Sequence, residues 1–173
     1  MSSEVYEAKP IEPERDQDHG SKTTTLPQAF QGPDLRVQVP PNCDLTLGMV
    51  CIEKAEPNRT VWQMTADERF ANPVGILQGG FLAAFADSAM GATALRWAQS
   101  AEGGDLGKVF SANAEMKVSF FTPVSTGSTI TCEARVVSGG SRTVFLEAEV
   151  RDRTGRPLAK ASSTYLLRPR TRP

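Results

Sequence analysis

The hydrophobic and polar positions divide the chain into an unpatterned start and a strongly patterned remainder. Residues 1 to about 27 are rich in Glu, Asp, Pro, Ser and Thr and hold almost no large apolar side chains. Such a segment cannot bury enough surface to offset the entropy of ordering, which predicts a disordered or loosely attached arm over residues 1–43. Leu26 to Gln31 can form one helical turn before Gly32-Pro33 stops it. The folded part is expected from residue 44 to 168. Gly48–Ala55 and Thr60–Thr65 read as two paired strands joined at Pro57-Asn58. A polar loop, Asp67–Pro73, then leads to one long helix, roughly Gln78–Gln99. That helix is apolar on nearly every side, with Phe81, Leu82, Phe85, Met90, Leu95 and Trp97 among many alanines. A helix apolar all round is a buried one. Gly103-Gly104 ends it.

Everything downstream is strand-like. Val109–Phe121 alternates with period two, setting Phe110, Ala112, Ala114, Met116, Val118 and Phe120 on one face and Ser111, Asn113, Glu115, Lys117 and Ser119 on the other. Ser128–Ser138, Thr143–Asp152 and Pro157–Leu167 follow, separated by Gly139-Gly140 and Thr154-Gly155 turns. Two strands, a buried helix and a four-strand meander predict an α+β domain, an antiparallel sheet wrapped around one central helix. Residues 169–173 form a basic tail.

Composition narrows the chemistry. The chain has 173 residues, 39% of them apolar, enough for one domain and not two. Nineteen basic and twenty acidic residues give a net charge of -1, without the basic excess that phosphate contacts require, so no nucleic-acid partner is expected. The single histidine, His19, lies in the polar arm, which removes histidine-based triads and His-rich metal sites, and no metal is expected. Cys43, Cys51 and Cys132 form no CxxC and are odd in number, so free thiols in a reducing cytosol are the simpler reading. Neither a secretory signal nor a membrane span is visible, and a cytoplasmic protein is expected.

Several residues stand out against that background. Gly79-Gly80 at a helix start leaves unpaired N–H groups at the positive end of the dipole, with no side chain to keep a ligand away. That arrangement suits an oxyanion hole, an anion site, or a tight entry with glycines for geometry alone. Asp87 is the only carboxylate of the helix and stands in a mostly apolar stretch. A buried carboxylate costs several kcal/mol unless it is paired or used. It is either a catalytic group or one that faces water or an arginine such as Arg142. Asn113 can orient a water or sit exposed on its strand. Asn72 is a good loop cap. Arg142, and after it Arg135 or Lys117, can pair with phosphates. Ser88 and Thr93 lack an adjacent base, and Cys51 and Cys132 read as small core residues.

The segment Asn72-Pro-Val-Gly-Ile-Leu-Gln-Gly-Gly80, with Asp87 following on the helix, resembles the hotdog-fold acyl-CoA thioesterases of the phenylacetate-pathway type. Those carry Asn, Gly, Leu-His-Gly-Gly and then an acidic residue. Downstream, Asn113 to Gly127 is similar to the family strand ending in Pro-x-x-x-Gly. Gly140-Ser-Arg142 and Glu149 to Gly155 are similar to its Gly-Arg and Val-x-Asp-x-x-Gly turns. The resemblance spans residues 45 to 167. It implies a hotdog fold and an acyl-CoA thioesterase in which the Gly79 N–H polarises the carbonyl and Asp87 activates water or attacks directly. It further implies that Gln78 and Asn72 hold the thioester and that Asn113, where relatives carry Ser or Thr, assists. Gly80 and Arg142 would contact coenzyme A, which enters as part of the substrate and not as a cofactor. The family histidine is Gln78 here. Glutamine donates and accepts hydrogen bonds but carries no proton at neutral pH, so positioning survives and acid catalysis does not.

Gly79 and Asp87 are separated by about 12 Å of helix rise at about 1.5 Å per residue. One chain's pair is therefore too far apart to serve one carbonyl comfortably, whereas two chains about a two-fold axis can bring Gly79 of one beside Asp87 of the other. A dimer with two composite sites is expected, and the resemblance implies the same, often as a tetramer of such dimers. The alternative is a non-catalytic acyl-CoA-binding protein whose activity went with the histidine. A hotdog hydratase needs an Asp-His pair that the folded part lacks, and a hotdog regulator needs a helix-turn-helix that the arm does not show.

Overall fold

A computed structural model describes residues 43–101 and 109–169. The predicted arm, the Leu26–Gln31 turn, His19, the Gly103-Gly104 stop and residues 170–173 lie outside the described residues. Cys43, assigned above to the arm, instead opens a short helix, α1 (Cys43–Leu47), and Pro169, assigned to the tail, is the last residue of β6.

The elements run β1 (Val50–Glu53), β2 (Arg59–Thr65), α2 (Gly79–Ala101), β3 (Val109–Phe120), β4 (Thr129–Gly139), β5 (Thr143–Asp152) and β6 (Pro157–Pro169). All pairings are antiparallel, in one six-stranded sheet of order β1-β2-β4-β5-β6-β3 with α2 packed against it. The predicted α+β hotdog architecture is the observed one. The meander is shorter than expected: β4-β5-β6 is continuous, but β3 leaves the helix to pair with β6 at the far edge, and β4 pairs with β2. The first strand is also shorter than the predicted Gly48–Ala55: Gly48, at φ 64, and Met49 close the turn after α1, their N–H groups donating to the Leu45 and Asp44 carbonyls, and the strand ends at Glu53.

Helix α2 is rich in Ala, the strongest helix former. Its buried stripe is Leu82, Phe85, Ala86, Ala89, Met90, Thr93, Ala94 and Ala98, the three-and-four spacing of one helical face. The opposite side, with Ala83, Ala84, Asp87, Ser88 and Gly91, is only half-buried. Within one chain the expectation of burial on all sides is therefore met on one face. Near the C-terminal end, Trp97 lies so close over β4 that a Cβ at Gly139 would come within 2.5 Å of its ring. Only glycine fits there.

A polar chain ties α2 to β2. The Trp62 indole donates to Thr60 Oγ1 at 2.8 Å, the Thr60 and Thr93 hydroxyls lie 2.7 Å apart, and Thr93 Oγ1 donates to the Ala89 carbonyl at 2.8 Å. With Thr93 spending its proton on Ala89, Thr60 donates to Thr93, and every proton in the chain is used once.

The period-two reading of β3 breaks at one point. Asn113 pairs with Tyr165 and Glu115 with Thr164, so Ala114 is an extra residue, a β-bulge. Residues directly opposite share a face, and buried Tyr165, Leu167, Ser163 and Ala161 mark the helix side. Ser111 and Asn113 therefore face α2 before the bulge, and Met116, Val118 and Phe120 face it afterwards. The predicted apolar face is split between the two sides, which leaves Phe110, 55% exposed, on the outer surface. That outer surface also carries a ladder of ion pairs: Arg59 with Glu53 and Glu133, Arg151 with Glu149, and Lys160 with Glu147.

Candidate active site

The loop before α2 is built by Asn72. Its carbonyl accepts from Gly75 N–H at 2.9 Å, and its side-chain Oδ1 accepts from Val74 N–H at 3.1 Å and Ile76 N–H at 3.3 Å. Gly75, at φ 82, supplies the left-handed residue that closes this turn. Bridges from Leu77 back to Ala71 and from Ile76 to Ser125 then fix the approach to the helix. The Gln78 carbonyl accepts from Phe81 N–H at 3.0 Å and from Leu82 N–H at 3.4 Å, while its own N–H donates to the Phe70 carbonyl. Gly79 and Gly80 follow, and no backbone acceptor among the described residues meets either N–H. The helix thus begins with two free donors at its positive end.

Gly79 opens on a cleft of about 320 Å³ lined also by Asn72, Ile76, Leu82, Phe120 and Phe121. Phe120, 53% exposed, lies across Gly79: a Cβ there would stand 3.2 Å from the ring. The Gln78 side chain is exposed, as is Gly80.

Asp87 lies two turns further along α2, on its half-buried side. It is neither the buried orphan nor the arginine partner that the sequence left open. Asn113 Nδ2 donates to its Oδ1 at 2.6 Å, and the Tyr165 hydroxyl lies 2.5 Å from the same oxygen and 2.8 Å from the Asp87 carbonyl. The Ser163 hydroxyl stands 2.9 Å from Asn113 Oδ1 and 2.7 Å from the Glu115 carbonyl. An ionised carboxylate only accepts, which requires the Asn113 amide to turn its nitrogen toward Asp87 and its oxygen toward Ser163. Among the described residues no hydrogen bond reaches Asp87 Oδ2. Burial, the hydrogen bond to Asp87 and that residue's negative charge push the Tyr165 phenol well above the usual range, so it stays a donor.

The alternation of β3 placed Asn113 on the polar, outward face. The bulge at Ala114 turns it inward, and this correction brings it to Asp87. Tyr165 was not singled out in the sequence: a tyrosine in a strand of alternating buried residues looks like any core aromatic, and its partner comes from another element. Arg142 is exposed in the β4–β5 turn. Its carbonyl accepts from Leu167 N–H at 2.8 Å, at the end of the sheet remote from Gly79 and Phe120. Arg135 lies on the outer face, 4.0 Å from Glu147. A larger groove there, about 510 Å³, contains no predicted catalytic residue, and its walls are charges that already neutralise one another. Its volume is therefore no mark of chemistry. Cys132 is fully buried in β4, and desolvation raises its thiol far above the usual value, in keeping with a core residue. No helix among the described residues is long and apolar enough to cross a membrane.

Comparison with known proteins places the fold and the sequence among thioesterases. The sequence profile described as "Thioesterase superfamily" matches residues 74–159, which include the two glycines, Asp87 and Asn113. Acyl-coenzyme A thioesterase 13 of Mus musculus is 23% identical over 128 residues, 73% of this chain and 86% of that protein. The PaaI protein of the E. coli phenylacetic acid degradation operon superposes with a TM-score of 0.63 at 21% identity, over 72% of this chain and 82% of that one. A thioesterase from Haemophilus influenzae gives 0.64 at 17% identity, over 73% and 82%. The two structural likenesses establish the fold, and the sequence matches carry the lineage: this chain belongs to the thioesterase superfamily, and thioester hydrolysis is the chemistry that membership assigns to it.

Proposed function

We propose that the chain hydrolyses acyl-CoA thioesters at a site completed by two copies. The observation that carries this is Asp87: a carboxylate oriented by two donors on one oxygen, with no hydrogen bond to the other among the described residues, on a thioesterase scaffold. The free N–H groups of Gly79 and Gly80 receive the carbonyl oxygen as it gains charge. Asp87 takes a proton from water while the water oxygen attacks the carbonyl carbon. The C–S bond then breaks, and coenzyme A leaves as the thiol once protonated. Direct attack by Asp87, with hydrolysis of the resulting anhydride, uses the same groups. Asn72 shapes the cleft in which Gln78 holds the thioester, and Asn113 fixes Asp87.

A dimer supplies the missing proximity, and the long edge strand supports one. β3 is twelve residues long, has no neighbour on its outer side among the described residues, and carries exposed Phe110 and Phe120. An edge of that kind is a template for pairing. Antiparallel pairing of β3 with its copy about a two-fold axis sets the Val109 end of one strand against the Phe120 end of the other. It thereby carries Asp87 of one copy toward Gly79 of the second, and Arg142 toward the cleft, where its guanidinium can meet coenzyme A phosphate beside Gly80. A cytoplasmic location fits an acyl-CoA substrate.

A thiol-release assay across short, long and aromatic acyl-CoAs tests the reading. Turnover is expected, with loss of at least a hundredfold in Asp87→Asn. Binding of acyl-CoA by the unmodified protein with no thiol released would replace it by the non-catalytic alternative that Gln78, standing where relatives carry histidine, suggests.

A further inference from the structure

We infer that Tyr165 is a positioning residue for Asp87: its phenol shares carboxylate oxygen Oδ1 with the Asn113 amide, which leaves Oδ2 as the one atom available to water or the acyl carbon. The inference rests on the hydrolase reading of Asp87 and adds to it a side chain from a different strand.

Three features support it. Tyr165 is only 3% exposed, so its hydroxyl must find a partner inside the protein, and it has two candidates, the carbonyl and the carboxylate of the same residue. A phenol has one proton, and the carboxylate oxygen is both the nearer and the charged acceptor. The second is packing: the Tyr165 ring lies along α2 beside Gly91, one turn after Asp87, where a Cβ would stand 3.4 Å from the ring and 3.6 Å from its oxygen, at ordinary van der Waals contact. The third feature is division of labour. Ser163 sets the Asn113 amide, Asn113 and Tyr165 converge on Oδ1, and Oδ2 has no partner among the described residues. A carboxylate whose two oxygens differ this sharply presents one lone-pair set in a fixed direction. A core tyrosine that merely satisfied its hydroxyl on a helix carbonyl would not require this convergence.

Tyr165→Phe keeps the ring against Gly91 and removes only the proton. The expected result is a fall in kcat of at least tenfold, with KM and the affinity for a non-hydrolysable acyl-CoA thioether unchanged within twofold. Unchanged kcat overturns the inference, as does a rise in KM alone, which would mark a binding role. Asp87→Asn is assayed beside it. An inactive Asp87→Asn with a fully active Tyr165→Phe sinks only the Tyr165 role, whereas a fully active Asp87→Asn sinks the hydrolase reading of Asp87 itself.

A second measurement needs no Tyr165 variant to fold. The chain has two tyrosines, Tyr6 and Tyr165. In a Tyr6→Phe background, tyrosinate absorbance reads Tyr165 alone, with the fold followed by circular dichroism. With Asp87 present the phenol is expected to stay protonated above its ordinary value. With Asp87→Asn it is expected to ionise at lower pH. Identical titrations in the two backgrounds would overturn the inference.

Discussion

Thr93 and Asp87 stand less than two turns apart on α2, and each exchanges hydrogen bonds with a strand, yet the two networks end differently. The chain from Trp62 through Thr60 and Thr93 to the Ala89 carbonyl uses each proton once and is sealed from water, with both threonines at 0% exposure. The network of Tyr165, Asn113 and Ser163 converges on Asp87, half-buried, and among the described residues stops there with one oxygen unspent. A closed network holds a helix to a sheet. An open one holds a reactive atom toward whatever comes next. The same residue classes do both, and completion of the hydrogen bonding tells them apart.

The sharpest way to break this comparison is to exchange the effects of the two sites. Asp87→Asn is expected to lower turnover by about 10²–10⁴-fold, while thermal unfolding shows a stability change within about 1 kcal/mol, because the amide can still accept from Tyr165. Thr93→Val should do the reverse. It strands the Thr60 hydroxyl in the core and costs about 1–3 kcal/mol in a denaturant melt, with turnover per folded molecule preserved. Loss of activity without loss of stability in Thr93→Val would erase the distinction.

Smaller changes sharpen the picture. Gly79→Ala places a methyl 3.2 Å from the Phe120 ring and in front of the free N–H groups. A loss on the order of tenfold in kcat/KM, about 1.4 kcal/mol, is expected with little change in melting temperature. The double variant Gly79→Ala with Phe120→Leu would restore room but not ligand approach, and activity should stay low.

The smallest expected effect lies on the outer face. Hydrogen bonding to Arg59 holds the Glu133 carboxyl below its ordinary value of 4.5. Because the folded value is the lower one, this contribution is fully present above about pH 4.5 and is lost as pH falls through the folded value. Melting temperatures followed down from pH 6 should fall below that point, and less steeply in Glu133→Gln. Activity per folded molecule should be indifferent to the change.

Much of this architecture could be read from the chain, for identifiable reasons. The long helix announced itself because few sequences place so many alanines and large apolar residues between glycines, and its observed start at Gly79 is one residue from the expected Gln78. Asp87 was visible as the one carboxylate in that setting. The partner of β3 was not visible, since nothing local distinguishes pairing with β4 from pairing with β6. Tyr165 was hidden for a similar reason: its chemistry depends on Asp87, which reaches it only through the tertiary fold. The bulge at Ala114 was actively masked by an unbroken apolar alternation, which real pairing interrupts without leaving a mark in composition.

That extra residue makes β3 a strand of two parities. Removing Ala114, or adding one residue before it, would rotate everything from Val109 to Asn113 by half a turn, sending the amide outward and Phe110 toward the helix. Single-residue length changes in the first half of β3 are therefore forbidden in a way that paired changes are not. Anyone recombining this domain with a relative should cut and join on the same side of residue 114, because a junction that mismatches parity would preserve every strand and still disassemble the site.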